Sequence, residues 1–313
     1  VIPTGQPAAP APTFVTRTGN KLSTTFVGFN AFGATGGEGT PWTNAQMDAY
    51  FAALPANGLT RTWVFPGTSL PDVDRLVASA AAHHQHLVLT LDNDFADCTT
   101  TGQKSASFYS VGYQGAYLDW VQTVATRYRT ATAVALYEAI NEAGQSRGDG
   151  VLDGTTMKSF YETTAAAIKA TDPNHLVGTG DSAEFVYAGG RTAYQLAASG
   201  AHVDVLSLHD YESDWIDDAP ILSSHWTPCK QAADALNKPI LIGEINDGLS
   251  HFTDQRARAS SVTTSMRQYL TAGAAGALVW NYTYTDGSYD GDYSIVPTDP
   301  MVAAVAGMTA LRK

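Results

Sequence analysis

Two short apolar runs, far apart in the chain, each end in a glutamate, and that pairing leaves few folds open. The first is Ala133–Ala143, read A-V-A-L-Y-E-A-I-N-E-A, whose apolar character stops at Asn141-Glu142 before a stretch of Gly, Ser and charge. The second is Pro239-Ile240-Leu241-Ile242-Gly243-Glu244, broken by Ile245-Asn246-Asp247-Gly248. Short apolar runs bounded by breakers and flanked by longer helical patterns read as buried parallel strands. Parallel α/β barrels keep their chemistry at the carboxyl ends of such strands. Glu142 and Glu244 can meet there only if both strands share one barrel.

The remaining pattern fits that demand. Apolar runs at Thr25–Asn30, Thr60–Phe65, Leu87–Leu91, Leu176–Gly180, His202–Leu208 and Gly276–Trp280 alternate with helical spacing, for instance over Trp42–Leu54, Pro71–His83 and Asp254–Ala272. Alternating strands and helices of this number predict an α/β fold, a (β/α)8 TIM barrel. Phe14–Arg17 and Lys21–Thr25 read as a short N-terminal hairpin over one barrel end. The chain has 313 residues; α/β barrels of about 250 residues or more are single units. We therefore expect one catalytic domain over residues 13–313, after a Pro/Ala-rich tail at 1–12.

The formal net charge is −12 with only 15% charged residues, which argues against nucleic-acid or anionic-membrane partners and suits a neutral substrate. No apolar run reaches the ~18 residues of a membrane-spanning helix. The opening V-I-P-T-G-Q-P-A-A-P-A-P-T lacks Met and any basic-then-apolar pattern, and reads as the mature end of a secreted chain. In that compartment Cys98 and Cys229, the two cysteines, are expected to form a disulfide bordering a cleft. Neither has metal-ligand spacing. His83, His84 and His86 read as a solvated helix end, and Asp286-x-x-x-Asp290-x-Asp292 falls short of a calcium loop. We expect no metal, no cofactor and a monomer.

Several polar and aromatic residues fall at predicted strand ends: Arg61 at the second, Asn141-Glu142 at the fourth, His209 and Tyr211 at the sixth, Glu244 at the seventh and Trp280 at the eighth. This constellation resembles clan A glycoside hydrolases, most closely family 5, from about Phe14 to the end. Gly58-Leu59-Thr60-Arg61-Thr62-Trp63 is similar to the family's strand-two arginine motif, Asn141-Glu142 to its acid/base pair, His209-x-Tyr211 to its strand-six motif, and Gly243-Glu244 to its nucleophile. Ala143 stands where Pro is usual, Ile245-Asn246 where Phe-Gly is usual, and Asp92-Asn93 where many members have His.

The resemblance implies a retaining β-glycosidase. Retention needs two carboxyl groups roughly 5–5.5 Å apart. Glu142 is expected to be the acid/base, its pKa raised by the charge of Glu244 and by partial burial. Glu244 is expected to be the nucleophile, ionised beside Arg61 and a hydrogen bond from Tyr211. Asn141 and His209 support the pair, and Trp280, Trp63, Trp215, Asn30, Asp92 and Asn93 border the substrate. The opening Phe14-Val15-Thr16-Arg17, the Gly28-Phe29-Asn30 strand and Arg61-Thr62-Trp63 look most like β-mannanases, so β-1,4-mannan is the expected polymer. A cellulase-type endoglucanase, an exo-acting glycosidase, a transglycosidase and a catalytically dead carbohydrate-binding barrel stay open.

Overall fold

The computed structural model describes residues 13–37, 39–56, 58–144, 152–211, 222–285 and 291–308. Among them the apolar runs form parallel strands: β1 Phe26–Asn30, β2 Leu59–Trp63, β3 His86–Thr90, β4 Val134–Glu138, β5 Leu176–Gly178, β6 Leu206–Asp210, β7 Ile240–Ile245 and β8 Gly276–Val279. They hydrogen-bond in the order β6-β7-β8-β1-β2-β3-β4-β5. A parallel bridge between Gly178 and Val205 joins the two ends, with the Thr179 N–H donating to the Val205 carbonyl at 3.2 Å. The sheet is a (β/α)8 barrel, as the alternation predicts. Strand ends differ from expectation: β4 stops at Glu138 rather than Glu142, while β6 runs on to Asp210 and β7 to Ile245.

Helices α1 Asn44–Ala53, α2 Leu70–Ala82, α3 Ala106–Ser110, α4 Ala116–Tyr128, α5 Gly154–Thr171, α6 Arg191–Ala197, α7 Trp226–Ala235, α8 Gln255–Thr271 and α9 Pro300–Ala306 surround it. Their starts are written in the sequence. Thr43 caps α1 in a reciprocal box with Gln46, and Asp153, Asp254 and Asp299 accept the first N–H groups of α5, α8 and α9.

The barrel interior is layered. Phe26, Leu59, Val88, Leu136, Leu176, Val205, Leu241 and Leu278 form an apolar floor, closed from below by Val15 and Leu22. The hairpin pairing Arg17–Thr18 with Lys21–Leu22 therefore plugs the N-terminal end. An ion pair from Arg17 Nε to Asp204 Oδ1, 2.9 Å, pins it there. Side chains alternate along a strand, so the residues two further on share that inward face. There the lining turns polar: Arg61, Thr90, Glu138 and Ser207 are all buried.

Candidate active site

Arg61, on β2, is the hub of that polar layer and is fully buried. Its Nε donates to Glu138 Oε2 at 2.5 Å, Nη1 to Glu244 Oε1 at 2.6 Å and to Asn30 Oδ1 at 3.1 Å, and Nη2 to Asn141 Oδ1 at 2.7 Å. Two carboxylates and two amides thus meet one planar fork, the geometry guanidinium suits.

Glu244 reaches the hub because β7 carries one extra residue. Leu208 pairs with Ile242 but His209 pairs with Glu244, so Gly243 is bulged, and the register against β8 shifts at the same place. A side chain at 243 would meet Ser207 Oγ at 2.7 Å and His209 Nε2 at 2.8 Å, so only glycine fits. Tyr211 Oη donates to Glu244 Oε2 at 2.5 Å, leaving both carboxylate oxygens held. Burial pushes the Glu244 carboxyl up; His209, Arg61 and the Tyr211 hydrogen bond oppose it.

Glu142 stands beyond β4 on backbone with φ +50°, in the left-handed region that non-glycine residues rarely occupy and that clusters at functional sites. Its N–H donates to the Gly180 carbonyl at 2.9 Å. His209 Nδ1 lies 2.8 Å from Glu142 Oε1 and 3.5 Å from Glu244 Oε1. Burial is the main cause that pushes the Glu142 carboxyl up to about 7, Arg61 opposes it and Asp94 adds to the rise, while the repulsion between Glu142 and Glu244 raises Glu244. Burial pulls His209 down to about 4. His209 Nε2 has no hydrogen-bond partner among the described residues, and it is Nδ1 of the neutral ring that faces the carboxylates. Oxygens of Glu142 and Glu244 and His209 Nδ1 lie within 4.8 Å of one another. Arg61 and Tyr211 each donate to one of the two Glu244 oxygens in this trio.

The other expected residues divide. Asn141 is tied down on both sides: its Oδ1 accepts from Arg61 and its Nδ2 donates to Asn93 Oδ1 at 3.0 Å. Trp280 stacks on Phe32, with ring centroids 5.0 Å apart, and Phe32 lies 4.4 Å from Trp63. Asn30, expected against substrate, is 1% exposed and its Nδ2 donates to the Gly243 carbonyl at 2.9 Å; it braces the bulge from below. Asp92 is likewise buried, 3.0 Å from Lys104 Nζ and bonded to the Asn93 N–H. Trp215 lies outside the described residues.

The expected disulfide is not formed. Cys98 is an exposed free thiol beside Gly67 and Thr68, whereas Cys229 is buried in α7 and donates to Glu184 Oε2 at 3.1 Å. Each faces its own neighbours, so the secreted-compartment argument supplied a pairing that the geometry does not. Sequence reasoning also missed Glu138, Lys104 and Asp94. For Glu138 the signal was present: in Leu136-Tyr137-Glu138 the strand period puts the glutamate on the same face as the floor leucine.

A model of the cellulase family (glycosyl hydrolase family 5) matches residues 46–286. The mannan endo-1,4-beta-mannosidase F of Aspergillus fumigatus is 30% identical over 242 residues, covering 69% of this chain and 51% of that protein. The probable mannan endo-1,4-beta-mannosidase F of Neosartorya fischeri is 26% identical over 293 residues, covering 77% and 62%. The chain thus spans about half to three-fifths of the length of these relatives. Among solved structures, the endo-1,4-beta-mannanase from Rhizomucor miehei superimposes with a TM-score of 0.74 at 19% identity, over 94% of this chain and 97% of that one, a likeness of fold. The family match takes in Arg61, Glu142 and Glu244, and the chain belongs to glycosyl hydrolase family 5.

Proposed function

We propose that this chain is a retaining β-glycoside hydrolase acting on β-1,4-linked mannan. The observation that carries the reaction type is the approach of the Glu142 and Glu244 oxygens to within 4.8 Å. Inverting enzymes keep their carboxyl groups about 6.5–9.5 Å apart to admit a water, and retaining ones about 5–5.5 Å.

Glu244 attacks the anomeric carbon while Glu142 protonates the leaving oxygen, which gives a glycosyl ester on Glu244 and a free chain end. Glu142, now a carboxylate, takes a proton from water as the water attacks the anomeric carbon and the bond to the Glu244 oxygen breaks. Glu244 is released and the anomer restored. The raised proton affinity of Glu142 suits its acid role. Arg61 and Tyr211 orient Glu244, and the Asn141 amide, which gives one N–H to Asn93, has a second to offer the sugar 2-hydroxyl. Trp280 supplies an apolar face for the pyranose ring. Mannan is favoured by the names of the relatives, and a polymer too large to cross a membrane favours action outside the cell.

Wild type and Glu244→Gln, assayed on β-mannan, glucomannan, cellulose and xylan, test this reading. Mannan oligomers that vanish in the variant, released as the β-anomer by proton NMR, are the expected result. Release of the α-anomer would overturn retention, and turnover of xylan alone would overturn the substrate.

A further inference from the structure

We propose that Glu138 is a positioning residue of this site: it holds the Arg61 guanidinium from below, shares its positive charge, and so sets the proton affinity of Glu244 and, more weakly, of Glu142. Its kinetic consequence rests on the hydrolase reading above; its electrostatic content does not.

Glu138 closes β4 and is 1% exposed, so it has no route to a substrate. Its Oε2 accepts from Arg61 Nε at 2.5 Å and from Thr90 Oγ1 at 3.0 Å. Glu138 and Glu244 therefore engage different edges of one guanidinium, and Arg61 feels Glu138 first among its charged neighbours. In a dry site, a guanidinium facing one carboxylate alone would depress that carboxylate's pKa and weaken it as a nucleophile. A second carboxylate on the Nε edge offsets this. Arg61 can then fix the direction of Glu244 without draining its basicity.

A purely structural ion pair would behave differently, since it would alter stability and leave the titration of its neighbours alone. Here the groups that respond are identifiable on every packed element. Arg61 comes from β2, His209 from β6 and Glu244 from β7. Glu142 follows β4 itself, with Asp94 behind it. Asp181, beyond β5, also feels Glu138 and shares its carboxylate with Tyr161 and Tyr187. His209 feels it as well.

The sign follows from charge. Glu138→Gln removes one negative charge beside Arg61, which favours the ionised form of Glu244 and, less strongly, of Glu142. The test is a carbon-13 NMR titration of the glutamate side-chain carboxyls in the unliganded protein, assigned with Glu142→Gln and Glu244→Gln, in parallel with the pH dependence of kcat/KM. In Glu138→Gln the Glu244 midpoint is expected to fall by about 1 unit, the Glu142 midpoint by less, and both limbs of the rate profile to move toward acid. Glu138→Asp keeps the charge but draws it back from Arg61, so its Glu244 midpoint should lie between wild type and Gln. Unchanged midpoints in folded Glu138→Gln overturn the proposal. If that variant does not fold, an unchanged midpoint in Glu138→Asp does so. The titration needs no turnover, so a wild type that cleaves no glycoside would sink the hydrolase reading alone and leave the charge sharing to be decided by the midpoints.

Discussion

The floor and the upper layer of the barrel are built from the same strands, two residues apart, yet they obey different rules. Leu59 and Arg61 on β2, or Leu136 and Glu138 on β4, point the same way into the same cavity. The floor is held by shape and apolar burial alone. The layer above is a network in which every charge needs a partner, because an unpaired charge in such a place is far costlier than a lost methyl group. The floor can therefore be damaged piecemeal, whereas a change in the upper layer keeps the fold only where Arg61 retains a carboxylate partner.

The sharpest way to break the comparison is Glu244→Gln, which is expected to lower turnover by about 10⁴-fold, equivalent to about 5 kcal/mol of barrel chemistry, while thermal unfolding stays close to wild type. Glu142→Ala is next. It should lose about 10²–10⁴-fold on unactivated polysaccharide and far less on the first step with an activated aryl glycoside, since a good leaving group needs little protonation. Normal polysaccharide turnover by this variant would remove Glu142 from the acid role.

Leu136→Ala reverses the pattern: it should cost about 2–5 kcal/mol in denaturant unfolding and leave kcat/KM at low temperature nearly unchanged. A smaller effect concerns pH. The native Glu142 carboxyl, raised from 4.5 to about 7, holds a proton that the unfolded chain has released. Stability from that proton is fully present below 4.5 and is lost as pH rises to about 7, by on the order of 3 kcal/mol. Glu142→Gln should flatten that slope in urea titrations, and wild-type kcat/KM should fall as pH rises through about 7 and the native acid loses its proton. The smallest expected effect is reduction. Thiol titration of the denatured, unreduced protein should find both Cys98 and Cys229, and dithiothreitol should leave the melting temperature unchanged.

What the sequence conveyed divides along the same line as the molecule. Apolar runs and caps announced the strands and helices, because burial and hydrogen-bond closure leave periodic marks. Glu142, Glu244, Arg61 and His209 were legible as candidates because strand ends are where a barrel exposes chemistry. Glu138 is harder to see, because a glutamate inside an apolar run stands out only when it is placed by the strand period. The Gly243 bulge is invisible in a string of letters, since a single inserted residue changes register without changing composition. Asn30 illustrates the limit of residue type: an amide at a strand end can face a ligand or brace a neighbour, and only the position of the Gly243 carbonyl decides. The disulfide reading failed because two cysteines and a compartment say nothing about distance.

The plug formed by the Arg17–Leu22 hairpin also has a practical use. It closes the barrel at the rim opposite Glu142 and Glu244, and Lys21, just after its turn, faces solvent. A protein anchored to a bead or an electrode through that turn would present its cleft outward, toward polymer chains that cannot diffuse beneath it. Attachment on the opposite rim would bury the same cleft against the support.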